Sequence, residues 1–165
     1  MHDIKIISGG QTGVDRGALD AALAKGAPCG GWCPQDRGAE DGVIGARYPL
    51  TPLVQGGYRR RTLKNIEESD ATLIVYFGEI ALKSGTLLAL SGCLKQQKPF
   101  LLVDAEELSA EHAGERIARF VLSHRIRVLN VGGPRASVQP TAHAYTQQAV
   151  EYALGVLFQA GSDNG

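Results

Sequence analysis

The chain has 165 residues, of which 44% are hydrophobic and 21% charged, as is typical of one soluble globular domain. Its 17 basic and 17 acidic residues cancel, so long-range attraction to nucleic acid or to an anionic membrane is not expected. No apolar run approaches the roughly 20 residues that a membrane span needs. Local anion sites are not excluded, because they depend on the arrangement of charges rather than on their sum.

The cysteines are three in number and scattered, which is typical of free thiols in a reducing cytoplasm. Cys29 and Cys33 have the spacing of half a metal site, but no second Cys or His pair stands at ligand spacing. The first residues show no leader-peptide pattern. We therefore expect a cytoplasmic protein in which side chains hold no metal and these two cysteines pack within a strand.

Apolar strands alternate with helices along the chain. The predicted strands cover residues 4–7, 27–33, 71–77, 99–103 and 127–131. The predicted helices cover about residues 13–25, 57–68, 85–97, 108–124 and 140–159, with Ser109 as a plausible N-cap. Residues 34–53 form a long polar loop punctuated by Gly and Pro, and loops of this length in compact domains tend to be functional.

This pattern predicts a single α/β domain over residues 1–160 and a flexible tail over residues 161–165. Strands that are apolar throughout indicate a doubly wound, mainly parallel sheet with helices on both faces, as in Rossmann-like folds. We expect the strand order 2-1-3-4-5, which places the first and third strands side by side. Their carboxyl ends would then frame the crevice in which such folds bind ligands.

The first strand ends in the glycine-rich segment Ser8-Gly-Gly-Gln-Thr-Gly-Val-Asp-Arg16. Free N–H groups in such a turn, together with the helix dipole, stabilise an anion. The spacing is neither a Walker A loop nor Gly-x-Gly-x-x-Gly, so it identifies no nucleotide. Alternatively, the glycines only permit the turn, while Thr12 and Asp15 form a capping box. Because a carboxylate repels phosphate, Asp15 should cap the helix or accept a hydrogen bond from a ligand N–H.

Two further strand-to-helix junctions have a similar composition. One runs from Gly78 to Ser84-Gly85-Thr86, although an ordinary N-cap explains those last residues equally well. The other, Asn130-Val-Gly-Gly-Pro-Arg135-Ala-Ser, places an arginine where it could clamp an oxyanion or simply face solvent. Three such junctions in one domain predict a small anionic ligand along the carboxyl edge of the sheet.

Other candidate residues lie near these junctions. Trp32 could stack on a flat ring or belong to the core. Arg61 and Asn65 stand one helical turn apart in a basic segment and could reach a shared pocket. No His, paired-carboxylate or nucleophile motif indicates catalysis, although Glu40 and Asp41 could perform acid–base chemistry.

Five segments in order resemble the molybdenum cofactor carrier proteins: "ISGGQTGVDRGALDAAL", "GGWCP…RGAEDGVIGARYPL", "RRRTLKNIEESDATLIVYFG", "SGT" and "NVGGPRAS". This family belongs with the lonely-guy (lysine-decarboxylase-like) phosphoribohydrolases and the DNA-processing protein A domain in a Rossmann-like superfamily. The resemblance covers about residues 4 to 158. It implies a cytoplasmic homo-oligomer, dimeric or tetrameric, that binds the molybdenum cofactor (molybdopterin) or molybdate and delivers it to molybdoenzymes.

Candidate binding residues follow from these motifs and from the residues around them. They are Gly9, Gly10, Gln11, Thr12, Gly13, Asp15, Trp32, Arg61, Asn65, Gly78, Ser84, Gly85, Thr86, Gly133, Pro134 and Arg135.

The hydrolase relatives resemble Pro-Gly-Gly-x-Gly-Thr-x-x-Glu around their catalytic glutamate. Here Leu82-Lys83 stand where Pro-Gly would, and Ala89 replaces the glutamate. An alanine cannot act as an acid, which favours a carrier over an enzyme. The alternatives are a nucleotide N-ribohydrolase that uses Glu79 or Asp41 as its acid, and a sensor of a nucleotide derivative such as ADP-ribose.

Overall fold

The computed structural model describes residues 3–163. Within them the strands are β1 (Lys5–Ile7), β2 (Cys29–Gly30), β3 (Trp32–Cys33), β4 (Gly38–Ala39), β5 (Gly42–Val43), β6 (Thr51–Pro52), β7 (Ala71–Tyr76), β8 (Phe100–Asp104) and β9 (Val128–Gly132). The helices are α1 (Val14–Lys25), α2 (Tyr58–Glu67), α3 (Gly85–Gln96), α4 (Ala110–Ser123) and α5 (Ala142–Ser162).

A parallel sheet in the order β2-β1-β9-β7-β8 forms the centre of the fold. Helices α1, α4 and α5 pack together on one face, and α2 and α3 pack together on the other. The main apolar core lies between the first group of helices and the sheet, where Leu73 and Val131 are fully buried. The predicted doubly wound α/β fold is confirmed.

The predicted strand order, 2-1-3-4-5, is wrong. The strand expected at the edge, β9, lies between β1 and β7, with Leu129 opposite Ile6 on one side and Ala71 on the other. Helix α5 follows β9 and packs against both α1 and α4, which holds β9 at the centre of the sheet. All these strands are apolar, so the sequence pattern could not rank their positions.

When β9 is counted as the first strand, the sheet has the order 3-2-1-4-5. This order matches the first five strands of the doubly wound dinucleotide-binding fold, whose six strands have the order 3-2-1-4-5-6. The topological switch point lies between β9 and β7. The segments that follow β1, β9 and β7 therefore emerge side by side at the carboxyl edge.

The strand predicted over residues 27–33 is divided at Gly31. β2 belongs to the central sheet, whereas β3 pairs with β6 in a separate parallel pair. Gly31 has φ of 125°, and a Cβ there would overlap the main chain of Ser8. This close approach turns the chain away from the sheet.

The long segment over residues 34–53 is held in place by Arg37. The Arg37 guanidinium donates to the carbonyl oxygens of Ile44, Gly45, Tyr48 and Leu50. A second apolar cluster joins this segment to α1 and contains Leu19, Cys33, Ile44, Tyr48 and Leu50. The antiparallel β4–β5 hairpin projects from this base, and its turn, residues 40 and 41, reaches the carboxyl edge of the sheet.

Helix α5 continues through Ser162, so residues 161 and 162, which were predicted to belong to a tail over residues 161–165, are helical. Residues 1, 2, 164 and 165 lie outside the described part of the chain. The predicted N-cap of α4 is confirmed, since the Ser109 hydroxyl accepts from the His112 N–H at 3.1 Å. Across residues 3–163, no helix combines the length and apolar character that crossing a bilayer requires.

Candidate functional site

A cleft of about 340 Å³ opens at the carboxyl edge of the sheet. Three segments enclose it: loop 1 (residues 8–13) after β1, loop 2 (residues 77–84) after β7 and loop 3 (residues 133–141) after β9. Helix α2 forms the remaining wall with Tyr58 and Arg61. The three junctions that the sequence singled out therefore meet at one place.

Most of the predicted residues line this cleft. They are Gly9, Gln11, Asp15, Arg61, Asn65, Ser84, Gly85, Thr86, Gly133, Pro134 and Arg135. The structure does not bring Gly10, Thr12, Gly13, Trp32 or Gly78 to the cleft wall. The Gly78 N–H donates to the Asp104 carboxylate at 2.9 Å, so this N–H group is used outside the cleft.

Amide groups at the end of loop 1 and the start of α1 already have partners within the protein. The Gln11 N–H donates to Asp15 Oδ2 at 3.3 Å, and the Thr12 N–H donates to the Gln11 side-chain oxygen at 3.0 Å. The Val14 N–H at the start of α1 donates to the Pro134 carbonyl at 3.1 Å. These donors are unavailable to a ligand, and the negative charge held by this turn is the carboxylate of Asp15.

The glycines of loop 1 permit close packing. A Cβ at Gly9 would overlap the Arg61 guanidinium. Gly13 has φ of 80°, and a Cβ there would lie 2.8 Å from the Arg135 carbonyl carbon. The density of glycine thus reflects the approach of α2 and loop 3 to this turn.

The Thr12–Asp15 capping box is not formed. Gly13 is the N-cap of α1, and no side chain caps this helix. The Thr12 hydroxyl accepts from the Ala136 N–H at 3.1 Å and donates to Glu40. Thr12 therefore connects loop 1 to loop 3 and to the β4–β5 hairpin.

Asp15 and Arg61 form a buried ion pair in the cleft wall. Arg61 Nη1 lies 3.3 Å from Asp15 Oδ2, and the side chains are 9% and 10% exposed. Burial raises the pKa of Asp15, and the positive charge of Arg61 opposes that shift. The Nε of Arg61 is buried and finds no hydrogen-bond partner among residues 3–163. The pair therefore keeps unused hydrogen-bonding capacity beside the cleft.

The start of α3 provides hydrogen-bond donors that a ligand in the cleft could use. Ser84 caps the helix, since its hydroxyl accepts from the Leu87 N–H at 3.1 Å and donates to the Ala81 carbonyl. Within residues 3–163, the N–H groups of Gly85 and Thr86 and the Thr86 hydroxyl make no hydrogen bond. Both residues line the cleft, so the positive end of the α3 dipole faces it.

The charged residues that line the cleft are mainly basic. Arg61, Lys83 and Arg135 contribute positive charge, against the single carboxylate of Asp15 among the described lining residues. The Arg135 side chain is 55% exposed, with its Nε 3.5 Å from Glu40 Oε2. Lys83, which the sequence analysis did not choose, stands at the rim in a left-handed conformation with φ of 60°. This balance of charge favours an anionic guest.

The side chain of Asn65 forms two hydrogen bonds with the main chain of Trp32. The Asn65 side chain accepts from the Trp32 N–H at 2.8 Å and donates to the Trp32 carbonyl at 2.9 Å. The indole ring lies outside the cleft, 5.9 Å from Lys64 Nζ. Asn65 therefore fixes the main chain of β3. Trp32 itself is partly buried and does not line the cleft.

Tyr58 is the aromatic residue that lines the cleft, and the sequence analysis did not select it. Its ring centroid lies 5.2 Å from Arg61 Cζ, and its hydroxyl accepts from the Gln11 side-chain N–H at 3.3 Å. The ring is about half exposed. A signal existed, because Tyr58 precedes Arg61 by three positions and thus shares its helix face.

Ala89 is buried in the cleft wall, at the position that the resemblance assigned to a catalytic glutamate. The replacement acids considered from sequence, Glu79 and Asp41, do not line the cleft. Asp41 pairs with Arg16, whose guanidinium lowers the pKa of that carboxyl. The acidic side chain at the cleft is instead Asp15.

Comparison with known proteins agrees with this architecture. The model of the circularly permutated YpsA SLOG family matches residues 6–154, and a circular permutation accounts for a sheet order that is regular only when counted from β9. The chain is similar to a crystal structure named "Putative molybdenum carrier protein" from Syntrophus aciditrophicus SB, with 42% identity and a TM-score of 0.86 over 92% of this chain and 96% of that one. Among curated proteins no significant match is found. These findings confirm the family resemblance, and the chain belongs to the circularly permutated YpsA SLOG family.

Proposed function

We propose that the cleft binds a small anionic ligand, the molybdenum cofactor or molybdate, and that the protein carries this ligand without breaking its bonds. The observation that carries the proposal is the set of donors on Gly85 and Thr86 that have no hydrogen-bond partner among residues 3–163 and that face a cleft with a positive balance of charge. The name of the similar crystal structure, a molybdenum carrier, suggests the ligand.

The phosphate of the cofactor would bind at the start of α3. Two N–H groups of the first helical turn and the Thr86 hydroxyl supply three donors without a partner in the described part of the chain. A dianion gains from such donors and from the helix dipole. Lys83, which precedes Ser84, would add positive charge near this helix start, and Arg135 contributes positive charge elsewhere in the cleft lining.

The flat pterin would lie toward α2. The half-exposed ring of Tyr58 offers a stacking surface there. The Asp15 carboxylate can accept from the N–H groups of a pterin, and the guanidinium of Arg61, which also lines the cleft, can donate to a ring oxygen or nitrogen. This wall therefore suits a ligand with donors and acceptors on one edge.

Calorimetric titration with purified cofactor and with molybdate tests the proposal. We expect a Kd below millimolar for at least one of them, weakened by Thr86→Val. Thr51→Val, on exposed β6 away from the cleft, removes a hydroxyl from a site that should not matter and serves as the matched control. Binding weaker than millimolar for both ligands would remove the carrier proposal.

A nucleotide N-ribohydrolase is the second candidate, and the observation in its favour is the carboxylate of Asp15 in the cleft. That carboxylate already pairs with Arg61 and Gln11, and Ala89 occupies the place of the hydrolase glutamate, so we rank this function lower. Incubation with nucleoside monophosphates, followed by chromatography for free base, distinguishes the two. Titration with ADP-ribose tests the sensor alternative.

The resemblance also leads us to propose a cytoplasmic homo-oligomer, dimeric or tetrameric, with molybdoenzymes as acceptors of the cargo. Light scattering of the purified protein measures the oligomeric state. Transfer of bound cofactor to an apo-molybdoenzyme, followed by its recovered activity, tests the acceptor.

A further inference from the structure

The turn of the β4–β5 hairpin places the carboxylate of Glu40 between loop 1 and loop 3. Glu40 Oε1 accepts from the Thr12 hydroxyl and from the Ser137 N–H at 3.0 Å. Glu40 Oε2 accepts from the Ser137 hydroxyl at 2.6 Å and lies 3.5 Å from Arg135 Nε. Both carboxylate oxygens are therefore engaged by groups from two loops.

The donors around this carboxylate are those that bind phosphate in proteins: hydroxyls, a backbone N–H and a guanidinium. They are also oriented toward the carboxylate. The Thr12 oxygen accepts from the Ala136 N–H at 3.1 Å, so its own proton is directed to Glu40. Thr12 is only 9% exposed, so water competes little for this hydrogen bond. The arrangement is a built oxyanion site that the chain fills with its own side chain.

This site adjoins the cleft through Arg135, which lines the cleft and contacts Glu40. We propose that Thr12, Ser137 and Arg135 form a second oxyanion subsite, which Glu40 occupies in the free protein and which a second anionic group of the ligand takes by displacing the hairpin turn. The inference rests on the proposed function only in placing the remainder of the ligand in the cleft. The ligand class is a small molecule with two anionic groups, such as a phosphate at one end and an oxyanion at the other.

The neighbouring residue of the same turn provides a matched control. Asp41 pairs with Arg16, which also donates to the Gly10 carbonyl at 3.1 Å. Neither Asp41 nor Arg16 lines the cleft or contacts the donors around Glu40. Replacing Asp41 by Asn removes the same charge from the same turn, but leaves the proposed subsite filled.

Inorganic phosphate is the probe, and backbone amide chemical shifts report where it binds. We expect Glu40→Gln to strengthen phosphate binding at Ser137 and Ala136 about tenfold, since one competing carboxylate is lost. Asp41→Asn should behave as the unmodified protein. An equal gain in both variants, or no gain at Ser137 in Glu40→Gln, would overturn the proposal.

Two further measurements keep the result interpretable. Ser137→Ala added to Glu40→Gln should abolish the gain, and retention of the gain would contradict the assignment. If Glu40→Gln does not fold, the unmodified protein and Ser137→Ala are titrated with phosphate instead. Saturable changes in the Ala136 amide chemical shift that vanish in Ser137→Ala support the subsite. The absence of such changes in the unmodified protein opposes it. The proposed function fails separately, when neither cofactor nor molybdate perturbs Gly85 and Thr86 of the unmodified protein.

Discussion

Loop 1 and the start of α3 face the same cleft, but they differ in the number of N–H donors that they leave available to a ligand. Loop 1 has the denser glycine motif, yet the N–H groups of Gln11 and Thr12 already donate to the side chains of Asp15 and Gln11. The Ser-Gly-Thr sequence at α3 is a weaker motif, yet the N–H groups of Gly85 and Thr86 have no partner in the described chain. The number of glycines in a turn therefore does not measure its capacity to bind an anion.

The glycines in the two regions also have different purposes. At Gly13 a side chain would overlap loop 3, whereas at Gly85 a Cβ would meet no atom within 4 Å. Loop 1 packs closely against three parts of the protein: the main chain of loop 3, the buried side chain of Arg61 and the β4–β5 hairpin. The start of α3, by contrast, is not packed against other segments at Gly85 and faces the cleft. Substitutions that affect the two regions unequally test this distinction.

The largest effect is expected for stability at Gly13. Gly13→Ala places a Cβ against the main chain of loop 3 at φ of 80°, so we expect a loss of about 3 kcal/mol in the free energy of unfolding. Gly85→Ala should change it by less than about 0.5 kcal/mol. Urea denaturation measures both, and equal losses would remove the contrast.

Arg135→Ala should weaken anion binding by about 1.5–3 kcal/mol, the value of one charged hydrogen-bonding partner. The fold should be unaffected, because this side chain is 55% exposed. Calorimetric titration with the anion measures the first effect and thermal unfolding the second. An unchanged affinity would mean that loop 3 is a structural turn only.

Two threonines extend the comparison to hydroxyl groups. Thr12→Val removes the bonds to Glu40 and Ala136, so we expect a loss of about 1 kcal/mol in stability. Thr86→Val removes a hydroxyl that has no partner within the described residues, so stability should be unchanged while anion binding weakens by about 1 kcal/mol. The reverse pattern would exchange the roles of the two regions.

The smallest effect concerns pH. Hydrogen bonds from Ser137 and Thr12 lower the pKa of Glu40 below its ordinary 4.5. A lowered folded-state pKa gives stability that is present above the unfolded-state value and is lost as pH falls through the folded-state value. The stability advantage of the unmodified protein over Glu40→Gln should thus be constant from pH 7 to about pH 5 and shrink below that. Thermal unfolding across this range measures it, and an advantage that grows on acidification would contradict the Glu40 contacts.

The sequence determined the five helices, the approximate positions of the central strands and the class of this fold, because apolar runs, helix periodicity and glycine turns are local properties of the chain. It also placed three loops at one sheet edge, since parallel strands present their carboxyl ends together. Residues such as Arg61, Thr86 and Arg135 were found in this way.

Only the tertiary structure decided the strand order, the position of Trp32 and the partners of each donor. The sheet order depends on how α5 packs against α1 and α4. Whether an N–H is free depends on residues far along the chain, as when Pro134 accepts from Val14 and Glu40 accepts from Thr12. A motif shows which donors a turn contains, but the folded chain determines which of them remain for a ligand.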